Sequence, residues 1–295
     1  MDNFTLIKLL EKSIYLSKGT KLYKITRNPR RLFYSKILEF FSIILKNCFE
    51  IKAKTFWGEQ IIVVIPEQVS LNLYYYGFYE EGLTNMILEY LKPGMTFIDI
   101  GAHIGYFSLL GSLIVGSEGK VHSFEPTPST FNILRSNLYA KKNVELKNMA
   151  VYSNNTNLYI HDYGIRYSAF NSLYSSRLPS EAISKLNPIK IDVQAISLDE
   201  YIIANNIIPD FIKIDAESSE YQILIGMEKT LNKYSPIISI EVGDMDVKGV
   251  PTSKDLINFL VNKSYQPYEF KDGKILKHAL KKNQYPYDNI LFLAE

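Results

Sequence analysis

The chain of 295 residues has a single cysteine, Cys48, so it can form no internal disulfide and no cysteine zinc cluster. Its four histidines, His103, His122, His161 and His278, are scattered, with no pair at zinc-ligand spacing. No uninterrupted apolar run reaches the roughly 18 residues needed to cross a bilayer. Net charge is only +2, which removes any global argument for nucleic acid or an acidic partner. Internal repeats and low-complexity tracts are missing. The opening MDNFTLIKLLEKS starts acidic and lacks both a long apolar core and a cleavage-like site, so it does not read as a signal peptide. The expectation is a cytoplasmic protein.

What is present is an ordinary globular composition, 46% hydrophobic and 22% charged, with 22 tyrosines and 16 phenylalanines to fill a sizeable core. Residues 1–50 differ from the rest. They are basic (Lys18, Lys21, Lys24, Arg27, Arg30, Arg31, Lys36) and read as helices, with a helical stripe at Ile37, Phe40, Phe41, Ile44 and Leu45. Two readings stand: a helical cap packed on the main domain with its basic face in water, or a basic amphipathic helix that meets a membrane surface or an acidic carrier protein. The chain thus divides into a basic helical extension, 1–50, and a main domain, 51–295.

In the main domain strands and helices alternate. IIVVI is a strand stopped by Pro66, and NMILEYLKPG ends a helix at Pro93-Gly94. Strands follow at 95–100, 120–124, 144–147, 189–196, 211–214 and 237–240. Helices are expected at 106–115, 129–139, 221–231 and 254–261, and two closing strands lie in YQPYEFKDGKI and DNILFLAE. This order argues a mostly parallel sheet with helices on both faces. Residues 150–190, rich in Asn, Ser and Tyr with weak hairpin signals, read as an insertion.

The loop FIDIGAHIGYFS follows the first strand of the alternation and opens a helix. Gly101 and Gly105 allow a tight turn beneath a ligand, and the helix N-terminus points at it. Glu125 ends the next strand, where an acid suits ribose hydroxyls. A dinucleotide fingerprint wants glycine where His103 stands, so the loop suits S-adenosylmethionine better, with Asp99 toward its amino-acid end.

With these segments the sequence resembles the FkbM-type S-adenosylmethionine-dependent methyltransferases. The resemblance is carried by FWGEQIIVVIPEQVSLNLYYYGFYEEGLT (56–84), KPGMTFIDIGAHIGYFSLL (92–110), VHSFEPTPSTFNIL (121–134), ISLDEY (196–201) and DFIKIDAESSEYQILIGM (210–227). It implies a class I methyltransferase, Rossmann-like fold: a seven-stranded, mostly parallel sheet with the last strand antiparallel. It implies methyl transfer to an oxygen, often of a sugar or secondary metabolite. By position, Asp99, Gly101, His103, Gly105, Glu125, Asn148 and Ala150 would line the cofactor, with Tyr106, Phe107, Pro126 and Asp215 beside them and Glu80, from GFYEE, as a cap on the pocket. One departure is Ser218, where the family usually has glycine.

The KIDAESSE stretch places Asp215 at the end of strand 211–214, Glu217 just behind it, and Glu241 at the end of the neighbouring strand. Asp215 or Glu217 could take the acceptor's proton as general base, and His103 is a third candidate, unless it buttresses the loop. Alternatively Asp215, Glu217 and Glu241 hold a divalent cation, Mg²⁺ or Ca²⁺ by their oxygen-only chemistry. Glu220 reads as a first-turn acid on the helix dipole, with Ser218 or Ser219 as N-cap. Tyr163, Arg166, Tyr167, Asn171 and Tyr174 of the insertion, together with Glu241, are expected at the acceptor. Rival readings are a non-catalytic protein that keeps the cradle and docks through residues 1–50, an NAD-dependent enzyme, or a methyltransferase acting on a carboxylate or peptide.

Overall fold

The computed structural model describes residues 1–20, 26, 29–174, 186–244, 249–281 and 284–295. Lys21, Lys24 and Arg27 of the basic extension, and residues 175–185 of the insertion, lie outside the described residues. In chain order the elements are α1 (Asn3–Ser17), α2 (Pro29–Leu45), β1 (Phe49–Lys54), β2 (Gln60–Ile65), α3 (Gln68–Tyr76), α4 (Glu81–Tyr90), β3 (Thr96–Ile100), α5 (Tyr106–Val115), β4 (Lys120–Phe124), α6 (Pro128–Leu138), β5 (Val144–Lys147), β6 (Ala150–Tyr152) and β7 (Thr156–Asp162). A 3-10 turn (Ile165–Phe170) precedes β8 (Ile189–Ser197), α7 (Leu198–Asn205), β9 (Phe211–Ile214), α8 (Glu220–Ile225), α9 (Glu228–Tyr234), β10 (Ile237–Val242), α10 (Ser253–Val261), β11 (Tyr265–Lys271), β12 (Lys274–Lys277) and β13 (Asp288–Ala294).

The central sheet has the order β12-β11-β13-β10-β9-β3-β4-β5. β5, β4, β3, β9 and β10 run parallel, and β13 is antiparallel to β10. This is the class I methyltransferase order, with the last strand reversed between β10 and β11, and with β12 added as an eighth strand by a hairpin. The expected closing strand YQPYEFKDGKI is that hairpin, turned at Asp272-Gly273, both at positive φ.

Period-2 alternation splits the core in two. Phe97, Val121 and Phe211 pack with α1, α3, α4, α5 and α6 on one face. Ile98, Ile100, Phe124, Ile212, Ile214, Ile238 and Ile240 pack with α7 to α10 on the other.

Two expectations fail. β8 does not join the central sheet; with β6 and β7 it forms a separate three-stranded sheet. Its burial alternates, as on a sheet with one wet face, whereas β9 is buried throughout. The single helix expected over 221–231 is two helices, broken at Gly226-Met227. A Cβ at Gly226 would stand 2.0 Å from the Tyr152 carbonyl, so the small sheet packs directly on the break. Among the described residues no helix is long and apolar enough to cross a membrane.

Candidate active site

A cavity open to solvent lies at the carboxyl ends of β3, β4, β9 and β10, where ligands bind in open α/β sheets. Beneath it a polar row, of which Lys213 reaches the cavity, crosses an apolar sheet. Register sets Ser123, Asp99, Lys213 and Ser239 side by side on four strands, and all four are buried. Lys213 Nζ lies 3.1 Å from Asp99 Oδ1 and 3.4 Å from Asp215 Oδ2, and donates to the Gly101 carbonyl at 3.0 Å. Burial alone would lower the lysine's pKa, but Asp99, Asp215 and Glu80 together outweigh it, so it is held above its usual range and stays charged. Asp99 Oδ2 accepts from Ser108 Oγ at 2.6 Å. Asp99, expected toward the cofactor, does not line the cavity: it is fully buried and pairs with Lys213.

The glycine loop is shaped from within. Gly101 has φ +74, and a Cβ there would stand 1.7 Å from the Asp215 carbonyl oxygen. The loops after β3 and β9 touch at this point, and only glycine permits it. Gly105, at φ +94, lets α5 meet Leu134 of α6, where a Cβ would come within 2.7 Å of a methyl group. It does not line the cavity. His103, at φ +51, donates its backbone N–H to Glu125 Oε2 at 3.0 Å, and its ring Nε2 lies 2.8 Å from Ser168 Oγ in the insertion. That ring contact makes His103 a tie between the cradle and the insertion, the buttress reading.

Glu125 is buried at the end of β4, and burial raises its pKa. Its carboxylate accepts from the backbone of Thr127 and His103, one bond to each oxygen. The Thr127 side chain bonds to it as well, and the residue lines the cavity. Asn148 does not line the cavity; its amide holds the carbonyls of Glu125 and Pro126 at 2.9 and 3.0 Å. Tyr106, Phe107, Pro126 and Ala150 do line it, as expected.

At the mouth, one oxygen each from Asp215, Glu217 and Glu241 lie within 4.8 Å of one another. Strand register carries this: Ile240 pairs Ile214, so the residues that follow them emerge together. These three could hold a cation with oxygen-only chemistry. Glu80 also lines the cavity, in a left-handed backbone (φ +46), with Oε2 accepting from Asn289 at 3.3 Å. Desolvation first, then the Asp215 charge, push its pKa up to about 7. It can exchange a proton near neutral pH, a property its place in GFYEE did not disclose.

Glu220 stands in the first turn of α8, as expected, but its carboxylate also has a further part. It is buried, and Oε1 accepts from the backbone of Ala216 at 2.9 Å and Ser218 at 3.2 Å, fastening the loop that carries Glu217. Ser219 stands at the N-cap position but its side chain makes no cap bond. Its hydroxyl is buried at the cavity wall without a partner among the described residues. Ser218 takes φ +80, the left-handed conformation glycine favours, so the loop keeps a glycine-like path with a serine in it.

Of the expected acceptor residues, Asn171 and Glu241 line the cavity; Tyr163, Arg166, Tyr167 and Tyr174 do not. Asn171 Oδ1 accepts from the Tyr163 backbone, and the Arg166 guanidinium stands 5.8 Å from the Tyr167 ring. Sequence reasoning missed Tyr79, Met149, Ile160, Ser168 and Leu173 on the walls. It also missed the function of Lys213, whose signal was a cation inside the apolar run FIKI.

The cavity is lined by five carboxylates against one lysine and one histidine. A ligand with a sulfonium and an ammonium fits that balance, and a pyrophosphate does not. The buried Ser219 hydroxyl and the Glu125 carboxylate are further polar groups on the cavity wall.

Strand order and the site at the carboxyl edge define a class I methyltransferase. The Methyltransferase FkbM domain matches residues 99–267, more than half the chain. The chain belongs to the FkbM family of S-adenosylmethionine-dependent methyltransferases. No curated protein matches it. Among solved structures it is similar to an FkbM methyltransferase from Methylobacillus flagellatus, at 16% identity and TM-score 0.43, over 77% of this chain and 55% of that one. It therefore spans about half the length of that relative. A SAM-dependent O-methyltransferase from Thermotoga maritima is similar at 13% identity and TM-score 0.37, over 83% and 77% of the two chains. Aeropyrum pernix fibrillarin, with bound S-adenosyl-L-methionine, is similar at 12% identity and TM-score 0.40, over 69% and 68%.

Proposed function

We propose that this methyltransferase transfers its methyl group to a hydroxyl of a small molecule, a sugar or secondary-metabolite acceptor. The observation that carries the reading is the convergence of Asp215, Glu217 and Glu241 at the mouth of the same cavity that Gly101 and Glu125 line. S-adenosylmethionine, bound on the cradle side, supplies an electrophilic methyl group. An alcohol that attacks it forms an O–C bond, the C–S bond breaks, and the hydroxyl proton must leave. Asp215 or Glu217 accepts that proton, which contributes on the order of 10²–10⁴-fold. Glu80, with its pKa near 7, receives or relays it from the same cavity. Lys213 holds the Asp215 carboxylate in place. Positioning of the two reactants supplies the rest.

A second reading uses the same three carboxylates to hold a divalent cation that lowers the acceptor's pKa. Oxygen-only donors within 4.8 Å of one another favour it.

Calorimetry with S-adenosylhomocysteine and methyl-transfer assays on a hydroxyl acceptor panel test the proposal. Binding should be lost in Glu125→Ala. Asp215→Asn and Glu217→Gln should bind normally and lose at least about a hundredfold in turnover. Sensitivity to EDTA, restored by magnesium, selects the cation reading. Methylation of carboxylates or amines with hydroxyl acceptors inert would overturn the proposal.

A further inference from the structure

Helix α2 turns most of its large apolar residues away from the domain, while Leu38 packs on the core. Its buried positions are Ser35 and Ser42, two turns apart. Ser35 Oγ bonds to the Leu32 carbonyl at 2.9 Å and to the Tyr75 hydroxyl, and Arg31 donates to the Tyr74 carbonyl at 3.2 Å. These polar contacts lay the helix along the domain. The opposite side presents Phe33, Ile37, Phe40, Phe41 and Ile44, one stripe at helical spacing. Phe33 is 71% exposed, Phe40 60% and Ile44 57%, and Leu45 and Ile43 extend the patch. The helix lies on the domain with this stripe turned to solvent. A contiguous apolar surface of this kind marks an interaction site.

Charge decides what covers it. Residues 1–50 hold ten Lys and Arg against four Asp and Glu, while the whole chain carries +2, so the rest of the chain is net negative. Arg30 and Lys36 on the helix and Lys46 just past its end are exposed. Lys36 pairs with Glu39 at 2.6 Å, an exposed pair that a phosphate can replace at small cost. On α1, exposed Lys8 stands over the Phe4 ring at 4.2 Å, so aromatic and basic groups recur together there. We propose that the outer face of α2 docks on an anionic lipid bilayer, its axis in the membrane plane and Phe33, Phe40, Phe41 and Ile44 in the headgroup boundary. At 17 residues the helix is about 25 Å long and lies on the surface. A second copy fits worse. A two-fold contact would set this face against itself and bring Arg30, Lys36 and Lys46 toward identical charges.

The test is cosedimentation of the full-length protein with vesicles of phosphatidylglycerol and phosphatidylcholine, and with phosphatidylcholine alone. It does not depend on methyl transfer, so it fails or succeeds separately from the proposed reaction. The protein should pellet with the anionic vesicles and be released by salt. Phe40→Asp with Ile44→Asp should lower partition at least about tenfold. Arg30→Gln with Lys36→Gln should lower it about fivefold for each positive charge removed. Both variants should keep wild-type affinity for S-adenosylhomocysteine, since none of these residues lines the cavity. No pelleting with anionic vesicles, equal pelleting with neutral ones, or a dimer in ultracentrifugation that Phe40→Asp dissolves without any vesicle binding would each overturn it.

Discussion

A lysine inside an apolar strand organises this site. Lys213 is flanked by Ile212 and Ile214, which face the other side of the sheet, and its charge is met by Asp99 on β3 and by Asp215. Glu80 is the residue whose environment has the most testable consequence. Its carboxyl titrates near pH 4.5 when unfolded and near 7 when folded. The native state thus binds the extra proton between those values. The stabilisation is fully present below pH 4.5 and is lost as pH rises through 7. Glu80→Gln, which keeps the shape and removes the charge, should abolish this loss. It should be more stable than wild type at pH 8 by about 1–3 kcal/mol, and level with it at pH 4.5. Urea midpoints at the two pH values measure this; an unchanged difference between them would sink the account. Glu220 teaches the complementary lesson. The sequence placed it correctly in the first turn of a helix, but its burial and its bonds to Ala216 and Ser218 come from the fold of the loop.

Among the elements, β3, α5, β4 and β9 form where the residues indicate. Each is short, strongly patterned and bounded by its own turn signals, so local physics suffices. The meeting of two elements is less legible. Gly101 looks like a ligand-facing glycine, yet its missing Cβ makes room for the Asp215 carbonyl. Gly101→Ala should therefore cost at least about 2 kcal/mol and weaken binding of S-adenosylhomocysteine. Gly94→Ala is the control: its φ is +85 but nothing lies within 4 Å, so it should cost only the roughly 1 kcal/mol of backbone strain and leave binding intact. Thermal melts and calorimetry on the pair separate clash from strain. β8 was misassigned for a related reason. A strand's pattern says that it pairs, but which sheet receives it depends on β6 and β7, and β7 reaches it through the insertion.

Over the whole molecule, the two helices of the N-terminal segment part company. α1 buries Leu6 and Leu10 completely, in the same cluster as Leu73, Leu83 and Phe97, and Asn3 holds the carbonyls of Leu88 and Leu91. Leu10→Ala should cost about 2–5 kcal/mol in a single cooperative transition. A second transition, or no loss, would show α1 to be an appendage. α2 by contrast buries two serines, packs Leu38 on the core and turns its phenylalanines outward. The sequence by itself determined the nucleotide cradle, the alternation of a class I sheet and the family, because these are written in contiguous segments whose order and spacing carry the information. It also showed that α2 has an apolar stripe. Only the tertiary structure decided that the stripe faces outward, that Asp99 serves Lys213, and that three carboxylates converge beside Glu80. Those outcomes depend on which distant residue stands opposite, and periodicity along one element holds no record of its partner.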